Sequence, residues 1–339
     1  MCRGFRHEFG PILFVSLKFF GWWVLFVTCS LISLCASTLH ENGRQYVRLD
    51  AVAAEFGMQA FGLSNPKQYE LRSQWSRLRF AQDSRLLYYN EMPIYLGFSV
   101  RQKRGHWWLS LSDLNACLKP MLTPKVFGEA PRLKTIVLDP GHGGKDQGAA
   151  NARYGLTEES LNLQVAIGLA KRLDAAGFRV ALTRRDDRYL SLGQRTQMAN
   201  QANADLFLSI HFNAAQSKTA SGLETFILTP RYQPSTKDAT ARSSDTKACP
   251  GQEFNPWNVV LGHALQAELV AATSEQDRGL KRARFSVLRS IECPAALVEL
   301  GFLSHAPTAS RLRSKTAITV LIDALFAGVL RYQARLQDR

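Results

Sequence analysis

Ile136-Val-Leu-Asp-Pro-Gly-His-Gly-Gly-Lys-Asp-Gln-Gly148 is the stretch on which the fold turns. The apolar run Thr135 to Leu138 predicts a buried strand, and Asp139-Pro140 followed by glycines at 141, 143, 144 and 148 predicts a sharp turn. His142 stands at the tip of that turn. Glycine allows backbone paths and close approaches that a Cβ forbids, so a ligand can lie against this loop with the imidazole aimed at it.

Downstream the pattern alternates between helical and strand periods. Leu161 to Ala175 has one apolar helical face and stops at Gly177, ahead of a strand at Phe178 to Thr183. Leu190 to Asn203 is helical, Asp205 to Ile210 is a buried-type strand ending at His211, and Leu223 to Leu228 is another strand. Trp257 to Thr273 predicts a helix, Phe285 to Leu288 and Pro294 to Val298 predict strands, and Lys315 to Gln333 predicts the closing helix. Such alternation implies an α/β layered sandwich, a mostly parallel sheet flanked by helices, with ligands gathered at the carboxyl ends of the strands.

Three polar residues fall at such ends: His142 after Ile136 to Leu138, His211 after Leu206 to Ile210, and Glu299 after Ala295 to Val298. Glu158 opens the first helix, where a Thr157-x-x-Ser160 start aims it back at the glycine loop; Glu159 suits the helix dipole instead. Two imidazoles and one carboxylate form the donor set of a catalytic Zn²⁺ with a fourth position left for water. His142, Glu158 and His211 are therefore the expected metal ligands. Glu299, a second carboxylate outside the set, is the expected proton acceptor.

Ahead of this region, Tyr46 to Phe56 and Trp108 to Leu118 repeat one pattern, a strand entering a short amphipathic helix. Strands at Leu78 to Phe80, Leu86 to Tyr89 and Met92 to Tyr95 lie between them, with turns at Gln82 to Ser84 and Asn90-Glu91. Residues 45–122 thus form a small α+β module that resembles the domain named after the N-terminus of copper amine oxidases. His106 has no ligand partners near it, so the module is expected to bind or to space, without copper. Residues 123–132, with Pro124 and Pro131, form a linker, and 133–337 the large domain.

Residues 1–37 are a targeting segment: Arg3, Arg6 and Lys18 precede an apolar run from Phe19 to Ala36. A signal cleaved near Thr38 and an uncleaved anchor both fit, and either places the rest outside the cytoplasm, in the periplasm or the extracytoplasmic envelope. The membrane is expected to be met only through this segment, if it stays uncleaved. The formal charge of +14 over 339 residues favours an anionic partner. No C2H2 spacing, RNP-like run or concentrated Lys/Arg block speaks for nucleic acid. After residue 37 only Cys117, Cys249 and Cys293 remain; this is no disulfide framework, and Cys249 and Cys293 fit either one bridge or two separate thiols.

The glycine loop, Gly155-Leu-Thr-Glu-Glu-Ser-Leu-Asn-Leu163, Leu182-Thr-Arg184, Leu190 to Asn200, Ala204 to Ala214 and Pro294-Ala-Ala-Leu-Val-Glu-Leu-Gly-Phe-Leu-Ser304 together resemble, in order, the zinc-dependent N-acetylmuramoyl-L-alanine amidases of the Amidase_3 family, the AmiA/AmiB/AmiC and CwlV type. The resemblance implies a peptidoglycan hydrolase that cuts the amide between the lactyl group of N-acetylmuramic acid and the first L-alanine of the stem peptide. It places the family's zinc ligands on His142, Glu158 and His211 and its catalytic glutamate on Glu299. Phe212 and His305 depart from the usual small residue and asparagine, and are expected near the cleft. The polar insertion 229–258, rich in Pro, Ser and Thr, is expected to be a long surface loop, solvated or facing substrate. In some relatives a segment there covers the zinc until an activator protein removes it. Another zinc peptidase or carboxypeptidase of the stem peptide, and a non-catalytic peptidoglycan-binding protein, are the alternative functions.

Overall fold

The computed structural model describes residues 38–123 and 131–337, so the targeting segment and most of the linker lie outside the described residues. The first part of the chain comprises β1 (Thr38–Glu41), β2 (Arg44–Arg48), α1 (Leu49–Glu55), β3 (Gln59–Gly62), β4 (Gln68–Arg72), β5 (Arg77–Ala81), β6 (Leu86–Tyr89), β7 (Met92–Tyr95), β8 (Arg101–Lys103) and β9 (His106–Ser110). The two segments that repeat in sequence pair with each other: β2 and β9 run antiparallel with Tyr46 opposite Ser110. Strands β3 to β7 form an antiparallel meander. The turn between β6 and β7 holds Asn90 and Glu91 at φ 47° and 70°, the left-handed pair that a two-residue hairpin demands.

The remainder contributes β10 (Thr135–Pro140), β11 (Ala150–Asn151), β12 (Leu156–Thr157), α2 (Glu158–Ala175), β13 (Arg179–Leu182), α3 (Leu192–Gln201), β14 (Leu206–Asn213), β15 (Leu223–Leu228), α4 (Asn255–Ala272), β16 (Asp277–Ala283), α5 (Ser286–Arg289), β17 (Ala295–Phe302), α6 (Ala306–Leu312) and α7 (Lys315–Gln337). The sheet order is β13-β10-β14-β17-β15-β16, and the first four strands are parallel. Only β15 reverses against β17, and it pairs parallel with β16. Residues of β10 are buried on both faces, which explains why this strand reads as an unbroken apolar run. Ile136 and Leu138 pack with Val165 and Leu169 of α2 and Val329 of α7. On the opposite face Val137, Phe207 and Leu297 pack with Ala199 of α3 and Leu288 of α5. β16 also pairs with β7 through Leu280 and Ile94, so the meander continues the large sheet to eleven strands.

The structure corrects several expectations. Phe285 to Leu288 is not a strand: Ser286–Arg289 is the short helix α5, whose Val287 and Leu288 are buried. So short an apolar run suits either period, and packing decides. The strand in this region is β16, Asp277-Arg-Gly-Leu-Lys-Arg-Ala283, whose charges hid it. Arg282 is buried because its guanidinium donates to Leu228 O, Asn255 Oδ1 and Ala116 O. Strand β14 continues past His211 to Asn213, and Glu299 lies within β17 and does not cap it.

The insertion 229–258 lies at the surface as expected but is solvated only in part. Gln233, Ser235, Asp245 and Asn258 are buried, and its last residues already belong to α4. Arg85 donates to the carbonyls of Pro234, Ser235 and Asp238, and Gln233 Nε2 donates to Ser112 Oγ at 2.6 Å, so its polar groups are satisfied by residues of the preceding segment instead of water. Because β15 is antiparallel to β17, the insertion leaves the sheet level with Ala295, the end opposite His211 and Glu299. Cys117, Cys249 and Cys293 are free thiols, which removes the bridge.

Candidate metal centre

The glycine loop is clamped from below by two buried arginines. Arg184 donates to the carbonyls of Pro140, Gly141 and Glu159 at 2.8 to 2.9 Å. Arg195 donates to Asp139 Oδ1 at 2.9 Å and to the carbonyls of Pro140 and His142, each at 2.7 Å. Asp139 accepts further bonds from Thr183 and Ser209 hydroxyls. This network over-determines the loop, and His142 is held at φ 61°, a left-handed conformation that costs a non-glycine residue about 1 kcal/mol or more. The acid of the Asp-Pro-Gly-His run is therefore structural. The sequence pattern assigns Arg184 and Arg195 no role, because the Pro140, Gly141 and His142 carbonyls they hold lie more than 40 residues away and only the fold brings them together.

Glu158 arrives by a different route. The β11–β12 hairpin folds the chain back, Ala150 opposite Thr157, so that Glu158 N donates to Ala149 O at 2.8 Å and Ala149 N donates to Glu158 Oε2 at 2.8 Å. Thr157 occupies the N-cap position of α2, but its side chain makes no capping bond, contrary to the helix start expected from Thr157-x-x-Ser160. The hairpin, not the cap, aims the carboxylate. Glu159 lies in the same first turn.

Glu158 Oε1 lies 2.9 Å from His211 Nδ1 and 3.1 Å from His142 Nε2, and one ligand atom from each of the three residues falls within 4.8 Å of the others. The two imidazoles meet edge to face with centroids 5.0 Å apart. Asp146 Oδ2 approaches His142 Nδ1 to 2.9 Å, an ion-pair contact in which the buried nitrogen makes no well-aligned hydrogen bond. Burial works against ionisation of Glu158, but its contacts with His142 and His211 outweigh it and hold the carboxyl well below the usual range. Burial likewise opposes the charge on His142, and Glu158 followed by Asp146 overcomes it. A half-buried pair of imidazoles around a committed carboxylate is the donor set of a divalent transition-metal site.

Two of the glycines make room for these side chains. A Cβ on Gly141 would lie 2.1 Å from His211 Cε1, and one on Gly148 would lie 2.5 Å from Glu158 Oε2 and 2.7 Å from His142 Cδ2. The close approach that glycine permits here is thus by the protein's own donors.

Glu299 is brought to the same place by register: it stands opposite His211 on β14 and opposite Glu224 on β15. Its Oε2 is buried without a hydrogen-bond partner. Burial raises its pKa well above the ordinary carboxylate value, the charges of Glu158 and Glu224 add to this, and Lys281 opposes it. Glu224 itself is fully engaged, accepting from Asn213 Nδ2 at 2.7 Å, Arg278 Nε at 2.9 Å and Lys281. The structure therefore gathers His142, Glu158, His211 and Glu299 at one end of the sheet. Phe212 does not face this site: its ring is buried in the main core and only its N–H reaches Glu158. His305 sits at the start of α6, its Nδ1 2.9 Å from Thr308 Oγ1.

Comparison with known proteins agrees with this geometry. The family model for N-acetylmuramoyl-L-alanine amidases, Amidase_3, matches residues 136–331. Amidase LytC of Bacillus subtilis (strain 168) is 34% identical over 199 residues, 59% of this chain but only 35% of LytC. The crystal structure of an N-acetylmuramoyl-L-alanine amidase from Clostridium difficile 630 superposes with a TM-score of 0.50 at 32% identity, covering 60% of this chain and 97% of that one. The CwlD amidase of Clostridioides difficile, solved in complex with the GerS lipoprotein, gives 0.50 at 27% identity, over 59% and 98%. All four residues of the site lie inside the matched region, and with more than half of its length so matched, the chain belongs to the Amidase_3 family of N-acetylmuramoyl-L-alanine amidases.

Proposed function

We propose that the protein is a zinc-dependent N-acetylmuramoyl-L-alanine amidase that releases stem peptides from peptidoglycan outside the cytoplasm. The observation that carries this is the meeting of His142, Glu158 and His211 with an unpartnered Glu299 one strand away. His142, Glu158 and His211 would hold the zinc, which when bound supplies Lewis acidity to the scissile carbonyl and to water. The donor types, two imidazoles and one carboxylate with ligand atoms within 4.8 Å of one another, fit that ion.

Glu299 does the proton work. Its Oε2 accepts the proton of the attacking water and then delivers it to the leaving amine of L-alanine. Burial raises the proton affinity of this carboxyl, which makes it a stronger base towards water than an exposed one, and the expelled amine is basic enough to take the proton back from the acid so formed. Arg184 and Arg195 keep the loop that carries His142 from relaxing when substrate enters. The net charge of +14 favours an anionic wall polymer as the surface on which the enzyme works. Residues 45–122, joined to the large sheet through Ile94 and Leu280, act as a rigid extension of it, and 1–37 as the export segment.

A protein activator is part of this reading, supported by the CwlD relative's complex with a lipoprotein. The insertion 229–258, anchored at the far end of the sheet, would not be the element such a partner displaces.

Incubating the purified protein with peptidoglycan, with zinc and with chelator, and identifying products by mass spectrometry tests the proposal. Chelator-sensitive release of intact peptides beginning at L-alanine is expected. Shortened peptides still attached to muramic acid would replace it with the peptidase reading, and zinc binding without any release, even with a candidate activator, with the binding-protein reading.

A further inference from the structure

The sheet face that carries His211 and Glu299 does not stop at the metal centre. Glu224 lies opposite Glu299, and strand alternation places Phe226 on the same face two residues on, about 6.6 Å further along β15. Phe226 in turn pairs with Lys281 of β16. Lys281 contacts the Glu224 carboxylate while its Nζ lies 5.8 Å from the Phe226 ring and 5.6 Å from the Tyr95 ring. Beyond Lys281 opens a cavity of about 610 Å³, lined by Phe226 and Tyr95, by parts of the insertion including Lys237 and Asp245, and by Arg284 and Arg289.

Its charge is one-sided. Six Lys and Arg side chains line it against two carboxylates, Asp238 and Asp245. Both carboxylates are already neutralised, Asp245 by Arg284 at 3.2 Å and Asp238 by Arg242. Lys237 and Arg289 also face the cavity, and among the described residues neither side chain enters an ion pair or hydrogen bond. A volume of this size suits a compact ligand, aromatic walls suit aliphatic stems, and uncommitted cations suit carboxylates.

We propose that this cavity binds the carboxylate-bearing distal residues of a short acidic peptide whose N-terminal amide lies beside Glu299; this rests on the amidase reading for the identity of that peptide. An extended chain advances about 3.3 to 3.6 Å per residue, so two to four residues carry it from the scissile amide past Glu224 into the cavity. Tyr95 precedes the residues matched by the family model, so this wall belongs to the chain's own added parts. The insertion thereby acquires a role: it builds the side of a peptide subsite.

The test is titration calorimetry on the full zinc-loaded chain with a synthetic tetrapeptide of the wall type, L-alanyl-γ-D-glutamyl-diaminopimelyl-D-alanine, and with the same peptide carboxamidated. Lys237→Glu/Arg289→Glu is expected to raise Kd about tenfold or more, with Lys237→Ala/Arg289→Ala in between. The carboxamidated peptide is expected to bind the unmodified protein as weakly as the acidic one binds the charge-reversed variant. Equal affinities across the three proteins, or equal affinities for the two peptides, overturn the proposal. So does charge-dependent binding of poly(glycerol phosphate) that leaves peptide affinity unchanged, which would make the cavity a polymer site. Binding is read without turnover, so a chain that binds the acidic peptide as expected but releases none from the wall keeps the subsite and loses the amidase reading.

Discussion

Asp113 and Glu299 each carry a buried carboxylate oxygen in a different part of this molecule, and they differ in what surrounds them. Asp113, where the first part of the chain meets the insertion, accepts from Gly97 N at 2.6 Å, Phe98 N at 2.9 Å and Gln233 Nε2 at 3.3 Å. Burial pushes its pKa up to about 6 against those backbone donors. Glu299 is pushed up as well, first by burial and then by neighbouring acids, yet no donor meets its Oε2. Saturation separates the two. An acid whose oxygens are all engaged fixes structure; one left bare at the end of a sheet, beside three metal-type donors, is kept for something that arrives.

The sharpest way to break this comparison is to remove each acid in turn. Glu299→Gln is expected to lower turnover by about 10²- to 10⁴-fold, the range of a lost general base, with zinc content by atomic absorption unchanged. His142→Ala should lose metal and activity together. Asp113→Ala should do the reverse of Glu299→Gln. It leaves Gly97 N–H, Phe98 N–H and the Gln233 amide buried without their acceptor, a loss of about 3 kcal/mol in chemical denaturation, with zinc affinity unaffected. Turnover lost in the Asp113 variant at unchanged stability, or retained in the Glu299 variant, would erase the distinction.

The pH dependence of stability sharpens it further. The folded-state pKa of Asp113, about 6, lies above its unfolded value near 3.8, so the folded state holds the proton more tightly. Its contribution is fully present below the unfolded value and fades as pH rises through 6. Stability of the metal-free protein relative to Asp113→Asn, which cannot titrate, should therefore fall by up to about 3 kcal/mol between pH 3.5 and pH 7. A flat difference across that window would mean the site is wetter than its burial implies.

The two places were unequally legible in the sequence. His142, His211 and Glu299 each adjoin or lie within a buried strand with a clear apolar run, and the fold brings such runs side by side, so their gathering follows from pattern. Glu158 was legible by distance from His142, although the β11–β12 hairpin that aims it is too short to show a period. Asp113 and its partners left no mark. Gln233 and Asp245 sit in a stretch whose composition is that of a solvated loop, and only the fold supplies the donors and acceptors that replace water. Strand β16 was hidden for the same reason: Lys281 and Arg282 are tolerable in a strand only because Glu224, Asn255 and two carbonyls receive them. Apolar periodicity reports burial against other apolar groups; burial through polar saturation has no period.

The mildest expected effect probes the bare site without touching a polar group. The space that the missing Cβ of Gly141 leaves is occupied by the His211 imidazole, 2.1 Å from where a Cβ would stand, and not held open for a ligand. Gly141→Ala must therefore tilt that ring or push the loop, and the loop is pinned through Arg184 to the Gly141 carbonyl itself. The ring is the softer partner, so the donor set should be misaligned while the fold persists. Zinc affinity by competition with a chromogenic chelator is expected to fall about 10- to 100-fold, as when the supports of a metal ligand are disturbed, with little change in the melting temperature of the metal-free protein. A variant with unaltered zinc affinity but lowered stability would show that strain here is carried by the loop and not by the site, and that His211 is held more firmly than the loop that faces it.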